Sequence, residues 1–173
     1  LAVGRILGMT SLGVFAMAVT LTLTPSLVAA KTIQTALLPR LSGMVDTSGF
    51  AGLAGVALTA SMVAGLALAC AGILLGWTIA PWITATGYAA LPQLIGPLAV
   101  MQGIRIAKSG STVVALSVGL TGNAALSNLP RIAALVAGVA ALYQGYGLPA
   151  LIWLGVAGET AGFVLSTALV TYR

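Results

Sequence analysis

The hydrophobic and polar positions divide the chain into long apolar stretches separated by short polar or turn-forming ones. The stretches are continuous runs of Ala, Leu, Val and Gly rather than the period-two alternation of strands, so they predict helices. Five of them are long enough to cross a hydrocarbon core of about 30 Å, which takes about 20 helical residues. The first runs from about Ser11 to Leu38, and Pro25 is predicted to kink it by removing a backbone donor. A polar connection containing Pro39, Arg40, Asp46 and Ser48 leads to the second, from about Phe50 to Ile79, which holds no charge. After a turn over Pro81 to Tyr88, the third runs from about Leu91 to Gly119, with Pro92 and Pro97 near its start. A break at Thr121-Gly122-Asn123 precedes the fourth, from about Ser127 to Tyr143, and Gly145-Tyr146-Gly147 precedes the fifth, from about Leu148 to Tyr172. Leu1 to Gly8 reads as the tail of a further helix whose front is missing, so the sequence is expected to be a fragment. The expected fold is all-α: residues 1–173 form a single polytopic transmembrane helix bundle of about five full spans plus that tail, with no soluble domain.

Composition fixes the solvent. Hydrophobic residues make up 60% of the chain and charged residues 5%, where soluble domains carry about 25% charged residues. A fold of this size has too little interior to hide that much apolar side chain, so lipid is the expected partner for the remainder. In lipid only helices and closed barrels satisfy their own backbone groups, and the barrel alternation is missing.

The net charge of +5 comes from seven basic residues scattered singly between apolar blocks, a pattern that fits positive-inside topology and not nucleic acid. With alternating helices, Arg40, Arg131 and Arg173 fall on one side, which is expected to be cytoplasmic and to include the C-terminus. The opposite turns carry no Lys or Arg, and Trp77, Trp82, Tyr88, Tyr143, Tyr146 and Trp153 gather near them, as interfacial aromatics do. Cys70 is the only cysteine and there is no histidine. No disulfide within the chain, Cys-based metal site or ordinary imidazole base is therefore expected, and Cys70 reads as an inert packing residue.

The third stretch carries the candidate chemistry. Gln102, Arg105, Lys108, Ser109 and Thr112 recur at three- and four-residue spacing and share a helix face. A charge at membrane depth costs about 2.5 to 3.5 kcal/mol on insertion scales, so such a face turns to a cavity or a partner. Arg105 then either lines a hydrated cavity or snorkels to the interface, and Lys108 fits the interface better. A guanidinium in a cavity suits a phosphate-bearing ligand, whose oxygens match its planar donors. Arg5, near the outer end of the leading helix, either snorkels or faces a hydrated interior. Glu159 is the only acid within a span; it reads as a partner for a neighbouring basic residue, with ion coupling as the alternative. Glycines 52, 55, 65, 72 and 76 offer small faces for close helix packing. No nucleophile with a base, phosphate-cradling glycine loop or metal constellation is visible, so catalytic residues, metals and cofactors are not expected, nor is an enzyme.

The order of features resembles a known family. Gly4-Arg5-Ile6-Leu7-Gly8, Leu12-Gly13-Val14-Phe15-Ala16-Met17-Ala18, Pro25 and Leu38-Pro39-Arg40-Leu41-Ser42 are similar to the opening of the C-terminal half of Wzx-type polysaccharide exporters, in the multidrug/oligosaccharidyl-lipid/polysaccharide flippase superfamily. Gly119 to Arg131 and Tyr146-Gly147-Leu148-Pro149-Ala150, with Trp153 and Gly155, resemble that family's turns before its last two helices. The resemblance implies one bundle of a two-bundle transporter that moves undecaprenyl-diphosphate-linked oligosaccharide across the bacterial inner membrane by alternating access. Arg105, and with it Gln102, Lys108 and Arg5, would attract the diphosphate in the cavity. The N-terminal bundle of the same protein would be the missing partner. A cation-coupled multidrug exporter of the same superfamily, for which Glu159 would matter, and a non-transporting scaffold subunit are the alternatives.

Overall fold

The computed structural model describes residues 8–83 and 88–172; the tail before Gly8, with Arg5, lies outside them. The described residues form six helices and no strand: α1 (Met9–Ser42), α2 (Phe50–Ile83), α3 (Leu91–Ser117), the short α4 (Gly122–Leu126), α5 (Leu129–Tyr143) and α6 (Gly147–Thr171). The first three long helices start or end within a few residues of the apolar stretches, because each stretch is bounded by residues that favour turns. Gly119 and Gly145 take positive φ values of 76° and 86° where the chain leaves α3 and α5, a conformation open to glycine without a Cβ clash. α1 continues through Pro25, the position predicted to kink it.

The fourth stretch, predicted from about Ser127 to Tyr143, is α5, and the chain breaks ahead of it over residues 118–121. Between them lies α4, which takes up Gly122 and Asn123 of the predicted break and is separated from α5 at Ser127-Asn128. Asn123 anchors α4. Its side-chain amide donates to the Ser166 carbonyl at 3.0 Å, and its side-chain oxygen accepts from the Ser166 hydroxyl at 2.7 Å. The Ser166 hydroxyl also lies 2.9 Å from that of Ser111. Three buried polar residues thus tie α4, α6 and α3 together, and satisfy groups that would be costly alone in an apolar interior.

Up-and-down order follows from the two apolar clusters. At one end Val14 and Ala18 meet Leu91, Leu94, Ile95, Leu98 and Ile152, so α1, α3 and α6 begin together. At the other, Leu41 meets Ala54, Ala57, Val113 and Val114, where α1 and α3 finish and α2 begins. α3 is the central helix, packed on α1, α2 and α6, while α5 rests on α6. Four segments are long and apolar enough to cross a membrane: Met9–Ser42, Phe50–Trp82, Gly122–Tyr143 and Gly147–Thr171. The third predicted span is α3 itself, the central helix, on whose polar face Gln102 and Lys108 are buried and Arg105, Ser109 and Thr112 are half-buried.

Small residues set the closest packing. Gly65 of α2 and Gly103 of α3 pack against each other's backbone, and Gly72 against Ala99, with no room for a Cβ. A Cβ added to Gly76 would lie 3.0 Å from the Pro92 carbonyl oxygen. Gly52 and Gly55, expected on the same packing face, have open space beside them. They lie on the outer side of the helix, as does Cys70, which is exposed and not the inward packing residue expected. Outward-facing threonines 20, 32, 59 and 160 each donate to the carbonyl four residues earlier in their own helix, so these four hydroxyls do not depend on water.

Candidate functional site: a cationic cavity

α1 packs on α3, α3 on α6 and α6 on α5, but no extensive contact joins α1 to α5. A cleft therefore opens between α1 and α5, with α3 and α6 as its floor. One part of it is a cavity of about 540 Å³ lined by Lys31, Arg105, Lys108 and Arg131 together with Gln34, Asn128 and Glu159. Four of the chain's seven basic residues and one of its two acids thus border a single space.

Each side chain reaches the cavity for a local reason. Arg105 lies about 21 Å along α3 from Leu91, at 1.5 Å per residue, on the face turned away from α2. Among the described residues it has no hydrogen-bond or ion-pair partner, and the same holds for Lys31. Lys108, one turn further, is buried at 7% exposure. Its ammonium donates to the Ser127 carbonyl at 3.0 Å and to Asn128 Oδ1 at 2.9 Å. Ser127 follows the last residue of α4, so Lys108 supplies a positive charge and a donor where a helix end leaves carbonyls unpaired. Lys108 is thus buried against the junction of α4 and α5.

Glu159 is 3% exposed, and its Oε1 lies 3.2 Å from Arg131 Nε. The partner expected for this acid is therefore Arg131, at the start of α5. Gly158 makes the approach possible: a Cβ there would meet the side chain of Ala134, the Arg131 Cα at 3.2 Å and the Pro130 carbonyl at 3.2 Å. Gly162, one turn on, admits the Ser127 carbonyl and the Lys108 ammonium in the same way, at 2.5 and 3.3 Å. The pair is a G-x-x-x-G spacing that brackets the acid, the sequence signal for close helix approach in lipid.

Two expected residues do not join the site as described. Gln102 does not line the cavity; it is 2% exposed and its Oε1 accepts from the Ser26 hydroxyl at 3.1 Å, between α3 and α1. Arg5 lies outside the described residues. Lys31 and Arg131 were not singled out as ligands by the stripe on α3, because they come from other helices and converge only in three dimensions. Ser109 and Thr112, in the stripe, do border the cavity.

Chemically the arrangement is suited to an anion. Arg105 and Lys31 present donors unspent on protein partners, Arg131 shares its charge with Glu159, and Lys108 adds positive potential from below. No family model, curated protein or solved structure matches this chain, so the geometry of the cavity is what its function is read from.

Proposed function

We propose that the chain is part of a membrane-embedded exporter or flippase that carries a lipid-linked oligosaccharide, bound through its diphosphate, across the bacterial inner membrane by alternating access. The observation that supports it is the convergence of Lys31, Arg105 and Arg131 on one cavity inside a bundle whose outer surface is apolar. Cations inside such a bundle are costly and mark pathways for charged cargo. Guanidinium groups suit phosphate oxygens through paired donors. Five crossings, with α3 as the central one and the C-terminus on the cytoplasmic side, accord with the position of Arg40 at the end opposite the aromatic residues. A second bundle opposite the cleft would close the pathway.

The cation-coupled alternative would use Glu159, whose Oε1 is engaged with Arg131. Purified protein in nanodiscs, titrated with inorganic diphosphate, tests the reading. Arg105→Ala is expected to weaken binding about 10- to 100-fold, the equivalent of losing one charged hydrogen-bonding group at about 1.5 to 3 kcal/mol. In cells, Arg105→Glu is expected to abolish export of the polysaccharide. Normal diphosphate affinity and normal export in both variants would remove the cavity from the mechanism.

A further inference from the structure

On the side of α3 that α1 does not cover, α2 and α6 stand apart and leave a groove of about 330 Å³. Ile73 and Trp77 of α2 form one wall and Trp153 of α6 the other, over a floor of Gln93, Gly96 and Val100 of α3. No described residue of α1 or α5, the helices that flank the cationic cleft, lines it. The groove therefore opens on the back of the bundle, onto its apolar outer surface.

Its polarity is graded along the helices. At 1.5 Å per residue, Gln93 lies about 3 Å from the start of α3, Trp77 and Trp153 each about 9 Å from the neighbouring ends of α2 and α6, and Ile73 about 15 Å from the end of α2. The two indoles thus stand at matching depth on opposite walls. Both are exposed, and among the described residues neither indole N–H has a hydrogen-bond partner, nor has the exposed side-chain amide of Gln93. Pro97, also on the groove, has no N–H, so the Gln93 carbonyl four residues before it lacks its helical donor. Polar groups left in this condition at an apolar surface are costly. They call for an occupant with acceptors at the level of the indoles, a donor nearer the helix ends and hydrocarbon below both.

We propose that the groove binds one diacyl phospholipid of the surrounding bilayer, with an ammonium headgroup at Gln93, ester carbonyls at Trp77 and Trp153, and an acyl chain along Gly96 and Val100 as far as Ile73. A transmembrane helix, about 10 to 12 Å across with its side chains, does not enter a space of this volume between two projecting indoles. An alkyl chain alone leaves the indoles and the Gln93 carbonyl unpaired. The lipid acts as a packing element between α2 and α6, which have no extensive contact of their own. The site does not depend on what the cationic cavity carries. A Cβ at Gly96 meets only Ile73 Cγ1, at 3.8 Å, so a longer side chain there extends into the groove and leaves the helix packing intact.

The full chain, purified in detergent and stripped of lipid, is titrated with phosphatidylethanolamine and followed by native mass spectrometry and thermal unfolding. The unaltered protein is expected to retain one phosphatidylethanolamine, and to prefer it at least about 3-fold over phosphatidylcholine, whose quaternary headgroup has no N–H to donate. Gly96→Leu is expected to weaken retention at least about 10-fold, and Trp77→Phe combined with Trp153→Phe about 5- to 100-fold, the loss of two hydrogen bonds. Added phosphatidylethanolamine is expected to raise the unfolding midpoint of the unaltered protein and not that of Gly96→Leu. A phosphatidylethanolamine with a photoreactive acyl chain is expected to crosslink to α3 beside Gly96, a measurement that needs no substitution. Equal retention of the two lipids, retention undiminished in Gly96→Leu, or crosslinks spread evenly over the outer surface overturns the site and leaves only an ordinary lipid annulus.

Discussion

Glu159 shows how one residue tunes a site it does not complete. It is the sole carboxylate bordering a space with four cations, and its bond to Arg131 stabilises a buried negative charge that would otherwise be expensive. It also competes with any incoming anion for that guanidinium. Glu159→Gln keeps a hydrogen-bond acceptor of nearly the same shape and removes the competition. Inorganic diphosphate is expected to bind about 3- to 10-fold more tightly to this variant, a change worth about 1 kcal/mol. Titration calorimetry reads it, and weaker binding would show that Glu159 supports the anion site by orienting Arg131 and not by opposing the ligand. The expected role of Glu159 as a partner for a basic residue was legible from its isolation within an apolar stretch. The identity of that partner was not, since Arg131 lies 28 positions away and its side chain could have turned to either interface.

At the scale of elements, the break between α4 and α5 is the feature that builds the cavity. Had α4 and α5 been one continuous helix, Ser127 would have kept its carbonyl inside the helical ladder and Lys108 would have lacked this acceptor. The interruption is held by Lys108 on one side and by the Asn123–Ser166–Ser111 network on the other, and Gly162 gives it room. Gly162→Val is expected to cost about 1 to 3 kcal/mol, as overpacking does, because the group that a Cβ meets is backbone and has little freedom to move. Gly52→Val, into open space, is expected to stay within about 0.5 kcal/mol. Thermal unfolding in detergent compares the two, and equal losses would mean that the break tolerates a side chain at α6. The same contrast explains why a list of glycines read from the sequence was only partly informative: Gly65, Gly72 and Gly76 face α3, whereas Gly52 and Gly55 face outward, and which side a small residue takes depends on the helix placed next to it.

For the whole molecule, the alternating order of the helices places the connection after α1, with Asp46, at one end and the aromatic turn between α5 and α6 at the other. If the bundle crosses the inner membrane as proposed, single cysteines introduced by Asp46→Cys and Tyr146→Cys in a Cys70→Ala background lie on opposite sides. A membrane-impermeant maleimide is expected to label the Tyr146→Cys protein in intact cells and the Asp46→Cys protein only after lysis. The reverse pattern would invert the orientation, and labelling of both in intact cells would remove the crossing. Two apolar clusters at the ends, with Ser26, Gln102, Arg105, Lys108 and Glu159 between them, give the bundle a polar middle layer inside an apolar exterior. Helices with so little charge need each other less for hydrophobic burial than for close packing and for satisfaction of that layer.

The sequence by itself determined the helical class, the location of most helices and the apolar exterior, because these depend on local composition and on turn residues that act within a few positions of themselves. It also placed Arg105 on a polar face, since helical spacing alone puts residues three and four apart together. Tertiary structure decided which cations share a space. Lys31, Arg105 and Arg131 lie on three different helices, and Gln102, one turn from Arg105 on the same face, is diverted to Ser26 because α1 crosses α3 at that level. It likewise decided that α3 is the central helix and that a short separate helix, α4, precedes α5, where Asn123 and Lys108 find partners more than a dozen residues away. Periodicity reports what a helix offers on each face; only the arrangement of neighbouring helices assigns that face to lipid, to a packed contact or to a cavity.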